Sequence, residues 1–460
     1  MLFCSYVFIL LFLPLTVIGY FVFNRFNTVW ARGYLLLASL VFYGYFNIAY
    51  LILLAGSLLF NYFWGCILYR NKNKILLGCG IAANILLLGY CKYYDFFATN
   101  INVLFQTDIV LKNMLLPLGI SFFTFQQISY LSDVYNGALK EKYSPLTYAL
   151  FVTFFPQLVA GPIVLANEMM PQFAKAENCR PNYHNISCGI FIFSLGLAKK
   201  ILLSDEFALI ADAVFDLSAP AFIDSVLGSL AYTLQIYFDF SGYCDMAIGI
   251  GLMFNIVLPV NFSSPYRSAD IQEFWRRWHI TLGRFLSQFV YFPLGGSRCG
   301  RIRTYLNLLL TFLISGLWHG ACWMMVLWGG LHGIAMAVHR FWSKDLKCKM
   351  PRLPGQILTF LFVWMAWILF RSESLQQARN IFCGFGRFSV PSAEAATKYF
   401  SSETILLFVA AMFIIFFLPP ANSFWDKFKP AVWNLVVAVI LIVSCVFSFN
   451  KISPFIYFNF

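Results

Sequence analysis

Charge interrupts this chain so rarely that most of its backbone has one way to satisfy its polar groups. Apolar runs cover 5–23, 33–46, 48–69, 75–97, 113–135, 146–165, 186–204, 225–256, 305–318, 321–342, 355–371, 402–420 and 431–449. Within hydrocarbon every N–H and C=O must be paired inside the protein, which leaves helices or closed barrels. Barrel strands would alternate apolar and polar residues. These runs are continuous, and several reach the length of about 20 residues that a spanning helix needs. Only 11% of the 460 residues are charged, against about 25% in a soluble domain. The expectation is an all-α polytopic membrane protein, one integrated domain over 1–460, with the lipid bilayer as its first partner.

Some runs are too short to cross alone or carry Pro and Gly inside, notably Pro117-Leu-Gly119 and Phe155-Pro-Gln-Leu-Val-Ala-Gly-Pro162. Broken or re-entrant backbone is tolerated only where protein or a wet cavity covers it. The middle of the chain is therefore expected to line a cavity. The first twenty residues have no basic start and no small-residue cleavage site, so they read as a retained helix.

The formal charge is +12. The excess lies in short loops between apolar runs, which fits cytoplasmic loops and anionic lipid rather than nucleic acid. The densest basic stretches are 267–303 and 340–352. Two short apolar runs separate them, so both are expected on the cytoplasmic side. The segment 384–401 reads as an external or interfacial loop. Twelve cysteines show no CxxC or metal-type spacing, and no disulfide framework is indicated.

Four constellations could carry chemistry. His319, in Ser315-Gly-Leu-Trp-His-Gly320, is an imidazole between two apolar runs. It is either a hydrogen-bonded bundle residue or a proton-transfer group. The run 232–245 crowds Gln235, Tyr237, Asp239, Ser241 and Asp245 into an apolar span, as helix ties or as the polar wall of a tunnel. The run 261–282 reads as one amphipathic helix at the cytoplasmic interface, with Ser268 and Glu273 supplying its N-terminal cap. On that helix Trp275 and Trp278 share a face, as do Arg276 and His279. Arg276 and Arg277, flanked by these tryptophans, are candidates to hold a phosphate-bearing acyl donor. Gly295-Gly296 is a turn or an anion-binding backbone cradle. His332 and His339 read as structural or interfacial. No acidic ligand stands at a familiar spacing from the histidines, so no metal is expected.

Taken together, Leu118-Gly-Ile-Ser-Phe-Phe-Thr-Phe125, Phe155–Pro162, Gln235-Ile-Tyr-Phe-Asp-Phe-Ser-Gly-Tyr243, Phe274-Trp-Arg-Arg-Trp-His-Ile280, Gly316-Leu-Trp-His-Gly320 and Pro454-Phe-Ile-Tyr-Phe-Asn-Phe460 resemble the membrane-bound O-acyltransferase superfamily. The resemblance is closest to its bacterial alginate O-acetylase branch, with the peptidoglycan O-acetylase and the teichoic acid D-alanyl transferase as relatives. That branch more often has Gln where this chain has Asn459. The resemblance implies a ring of about eleven transmembrane helices, some broken or re-entrant, around a central tunnel in the bacterial inner membrane.

It also implies that His319 is the catalytic histidine, deprotonating an acceptor hydroxyl that attacks an acyl thioester. His279 carries over as the second characteristic histidine, on the donor side. No bound cofactor is implied. The donor would be acetyl-CoA or an acyl-carrier thioester. The acceptor would be an extracytoplasmic polysaccharide such as alginate, with peptidoglycan O-acetylation or D-alanyl transfer to teichoic acid as alternatives. Short outer loops suggest a periplasmic transferase or esterase partner. A transporter for an anion or lipid is the non-enzymatic alternative, although no internal repeat supports it.

Overall fold

The computed structural model describes residues 1–139, 141–388, 401–425, 427–449 and 455–456. Among these the secondary structure is helical throughout. Among the described residues, five helices are long and apolar enough to cross a membrane: Val7–Phe26, Ile48–Arg70, Lys74–Phe105, Tyr183–Phe215 and Arg352–Arg371. Ser402–Phe417 and Val432–Phe447 are shorter apolar helices. The chain is a multi-pass membrane protein. Most of the expected loop at 384–401, together with Pro454 and Asn459, lies outside the described residues.

The chain forms two compact units, 1–195 with 243–259 and 428–449, and 196–242 with 260–427 and 450–460. Both draw on segments distant in sequence, so neither is a separable stretch of chain.

In the first unit, the two predicted breaks in helical backbone meet each other. The helix Ile120–Asn136 starts at Gly119, whose φ is +71°. A Cβ there would stand 2.6 Å from the carbonyl oxygen of Leu158, so glycine serves both the left-handed turn and the close approach. The irregular residues 159–165 are buried, and the Tyr43 hydroxyl donates to the Leu118 carbonyl at 2.8 Å. Non-helical backbone is thus covered by protein, as hydrocarbon demands. Within the same unit Asn61 and Asn84 exchange amide hydrogen bonds of 3.0 and 2.7 Å, a polar tie between apolar helices.

The second unit is organised by an antiparallel pair, Arg301–His319 and Trp323–Arg340. Their seam has glycine on both sides. A Cβ on Gly316 would run into the Met325 carbonyl oxygen and come 3.1 Å from the Cα of Gly329, and one on Gly333 would stand 2.9 Å from the Cα of Leu309. Gly329 and Gly333 are spaced as small residues are where membrane helices touch backbone to backbone. The pairing brings the two basic stretches to one end. There Arg301 lies 3.3 Å from Asp345, and the Tyr305 hydroxyl also meets Asp345.

Candidate active site

His319 is the last residue of its helix and is 1% exposed. Its ring is enclosed by Trp318, Trp328 and Phe370, with centroids at 5.0, 5.2 and 5.3 Å. The His279 ring stands 6.2 Å away. Trp367 stacks on Trp328 at 5.7 Å, so the enclosure has a second aromatic layer.

His279 reaches this place by a break that the amphipathic pattern does not announce. The expected continuous helix is two short ones, Ile271–Arg277 and Ile280–Leu286. Between them His279 adopts a left-handed backbone, φ 45° and ψ 51°, which a non-glycine residue holds only when its surroundings impose it. Asn261 imposes it. The Asn261 carbonyl accepts from Ile280 N–H at 3.0 Å, and its Oδ1 accepts from Thr281 N–H at 3.1 Å and the Thr281 hydroxyl at 2.9 Å. His279 Nδ1 lies 3.2 Å from the same Oδ1. An amide N–H can only donate, so the Asn261 atom is the oxygen and His279 Nδ1 carries a proton towards it. The basic lone pair is then on Nε2.

The cap of Ile271–Arg277 also differs from expectation. Asp270, not Ser268, accepts from Glu273 N–H at 2.7 Å, while Glu273 Oε2 accepts from Ala269 N–H at 2.7 Å. Asp270 stands in the extended position directly before Ile271, where a cap can reach the N–H of the third helical residue. Ser268 instead donates to the Pro265 carbonyl. Because the helix ends at Arg277, Arg276 and His279 do not share a face.

A cavity of about 410 Å³ is lined in part by sequence neighbours of the two histidines. Trp275 and Arg276 line it, with Arg284, Arg340, Lys344 and His339 adding further basic groups. It extends to Ser315 and Ile280, one helical turn from His319 and next in sequence to His279. Its size suits a small-molecule ligand. The other two candidates for donor binding face elsewhere. Arg277 pairs with Glu273 at 2.5 Å, and Trp278 is 1% exposed, stacked on Phe274.

Gln235, Tyr237, Asp239 and Ser241, expected along a tunnel, are buried side chains of the helix Phe222–Met253 and none lines this cavity. Asp239 belongs to an ion cluster in which Lys200 Nζ lies 2.7 Å from both Asp239 and Asp205. Gly295 and Gly296 form a turn, with their N–H groups donating to Phe292 and Tyr291, so those donors do not face an anion. His332 is not without a polar companion: Trp275 Nε1 donates to its Nδ1 at 3.3 Å. His339 Nε2 lies 3.6 Å from Asp270.

The sequence profile of the membrane-bound O-acyltransferase family matches residues 105–375, a span that contains both histidines and the cavity. The chain belongs to the membrane-bound O-acyltransferase family. It is 42% identical to the peptidoglycan O-acetyltransferase of Helicobacter pylori, over 100% of this chain and 98% of that one. It is 35% identical to a probable alginate O-acetylase of Pseudomonas putida over the whole of both chains. A teichoic acid D-alanyltransferase of Bacillus subtilis matches at 27% over 67% of this chain and 81% of its own. This membrane-bound O-acyltransferase is therefore an acyl-transferring enzyme. Asn261, Lys200 and Phe370 carry no signal in the sequence, because their roles exist only through contacts distant in the chain.

Proposed function

We propose that this enzyme moves an acetyl group from a cytoplasmic thioester to a hydroxyl of an extracytoplasmic cell-envelope polysaccharide in the bacterial inner membrane, with peptidoglycan as the acceptor. The observation that carries the reading is the pair His319 and His279, 6.2 Å apart in an aromatic enclosure, with a basic cavity that reaches Ile280, the residue after His279. The preference for peptidoglycan over alginate rests on the full-length relative at 42% identity, which bears that name. The relatives named for alginate are the second reading.

In the proposed reaction, Arg276 with the other basic groups of the cavity wall holds the phosphates of acetyl-CoA, or of an acyl-carrier prosthetic arm, by charge-assisted hydrogen bonds. By the positive-inside rule this mouth faces the cytoplasm. The thioester extends past Ser315. His319 takes the proton of the acceptor hydroxyl as the oxygen forms a bond to the thioester carbonyl carbon. The C–S bond then breaks, and the thiolate leaves with the proton returned from His319. His279, its Nδ1–H fixed on Asn261, supports the donor side. The apolar walls exclude water, so hydrolysis of the thioester is suppressed. Where the acceptor hydroxyl belongs to a carrier, a periplasmic transferase or esterase partner completes delivery to the polymer.

The test compares wild type, His319→Ala and His279→Ala in cells, measuring acetate released by base from purified sacculi and, separately, from exopolysaccharide. Loss from sacculi in His319→Ala, with the protein still present in the membrane, supports the reading. Acetate unchanged in both fractions removes His319 from the mechanism. Loss confined to exopolysaccharide moves the acceptor to the alginate type.

A further inference from the structure

The helix Phe222–Met253 presents two successive residues to different tasks. Asp239 is fully buried. Its Oδ1 lies 2.7 Å from Lys200 Nζ, and its Oδ2 accepts the backbone N–H of Ile456 at 2.8 Å. The next residue, Phe240, places its ring edge-on to His279, with centroids 4.7 Å apart and planes at 87°. The preceding residue of the bound segment, Phe455, lies 6.0 Å from Phe240, at 61°, and is 4% exposed. Phe262 closes on Phe240 from another side at 4.9 Å. Residues 455 and 456 are therefore clipped onto residues 239 and 240 by one backbone hydrogen bond and one ring contact, and the ring they press on is the one against His279.

We propose that this clip positions His279: the buried Lys200–Asp239 pair anchors Ile456, and Phe455 buttresses Phe240 against the imidazole. Lys200, Asp239 and Phe455 are positioning residues, acting through Phe240. The inference rests on the acyl-transfer reading of His279. Physically, the arrangement opposes a specific weakness. The left-handed backbone of His279 is costly, and Asn261 holds the Nδ1 edge of its ring. A second, apolar wall limits tilt about that hydrogen bond. The buried pair is suited to the anchor because its ion–dipole contact to Ile456 N–H is made where water does not compete.

The test uses the full-length enzyme in detergent and in proteoliposomes, with Phe455→Ala, Phe455→Leu, Asp239→Asn, His279→Ala and the double variant Phe455→Ala/His279→Ala. Transfer from labelled acetyl-CoA is read as kcat and KM, and ¹⁵N-histidine spectra follow the five imidazoles, with His279→Ala assigning its own signal. For Phe455→Ala the expectation is a fall in kcat of roughly 10- to 100-fold with KM for the donor unchanged. The His279 resonance should move while the other four stay, and Phe455→Leu should recover most of the rate. In the His279→Ala background Phe455→Ala should cost nothing further. Equal losses with and without His279, or an unmoved His279 signal in folded Phe455→Ala, overturn the proposal. If Phe455→Ala does not fold, Phe455→Leu and Asp239→Asn are read by the same spectra: an unmoved His279 signal in both overturns it. If wild type transfers no acetyl group while the His279 signal still responds, the acyl-transfer reading fails and the clip stands.

Discussion

Gly316→Ala tests how tightly the seam between the two central helices sets the position of His319. The added Cβ would collide with the Met325 carbonyl oxygen and stand 3.1 Å from Gly329 Cα. Both obstacles are backbone, so no side chain can swing aside. Carbon atoms settle at about 3.5–4.0 Å, so the helices must part by roughly 1 Å at this level. Overpacking of this kind costs about 1–3 kcal/mol. His319 lies less than one turn beyond Gly316 and moves with it, and a misplacement of about 1 Å costs on the order of 100-fold in rate. Gly330→Ala is the matched control. Its Cβ meets only Leu313 Cδ2, at an ordinary 3.5 Å, and the helix gains up to about 1 kcal/mol of propensity. The assay is thermal unfolding in detergent with single-turnover acetyl transfer in proteoliposomes. Gly316→Ala should melt earlier and turn over far more slowly, while Gly330→Ala should do neither. A Gly316→Ala enzyme with wild-type melting and rate would refute the argument from backbone contact.

Three further outcomes follow from the same geometry. Asn261→Ala removes the acceptor that fixes the His279 tautomer, and the rate should fall about 10- to 100-fold, with both ring-nitrogen signals of His279 shifting in a ¹⁵N spectrum. Lys200→Met leaves Asp205 and Asp239 buried without their shared cation and should destabilise the fold by about 3–5 kcal/mol. Adding Asp205→Asn and Asp239→Asn should restore much of that in a thermal melt. Arg276→Ala, at the basic cavity wall, should raise KM for acetyl-CoA about tenfold with little change in kcat, and the wild-type KM should rise with salt more steeply than that of the variant.

The parts of the fold that follow from solvation were legible in the sequence. Continuous apolar runs became helices because lipid leaves the backbone no alternative, and the Pro and Gly at 117–119 and 155–162 marked buried breaks because proline and glycine act locally. His319 stood out because polar residues are costly at membrane depth. The break at Trp278–His279 was not legible. Nothing in Arg-Arg-Trp-His favours a left-handed residue, and the helical period continues through it. The turn is imposed by Asn261, a tertiary partner with no composition signal. Lys200 falls inside the apolar run 186–204, and only folding places it between two aspartates. Arg277 and Trp278 satisfy the donor-site pattern in sequence, yet one is held by Glu273 and the other packs into the aromatic core.

The glycine seam also has a mechanical consequence. Where Gly316 and Gly329 bring the two helices backbone to backbone there are no rotamers to rearrange, which stiffens Arg301–His319 against Trp323–Arg340 at that level. Across the enclosure the contact with Arg352–Arg371 is made by rings, through Trp367 and Phe370. Side chains change rotamer far faster than packed helices slide. In the enclosure of His319, Phe370 and Trp367 are therefore the face that side-chain rotation can move, while the histidine itself rides on the stiffer wall.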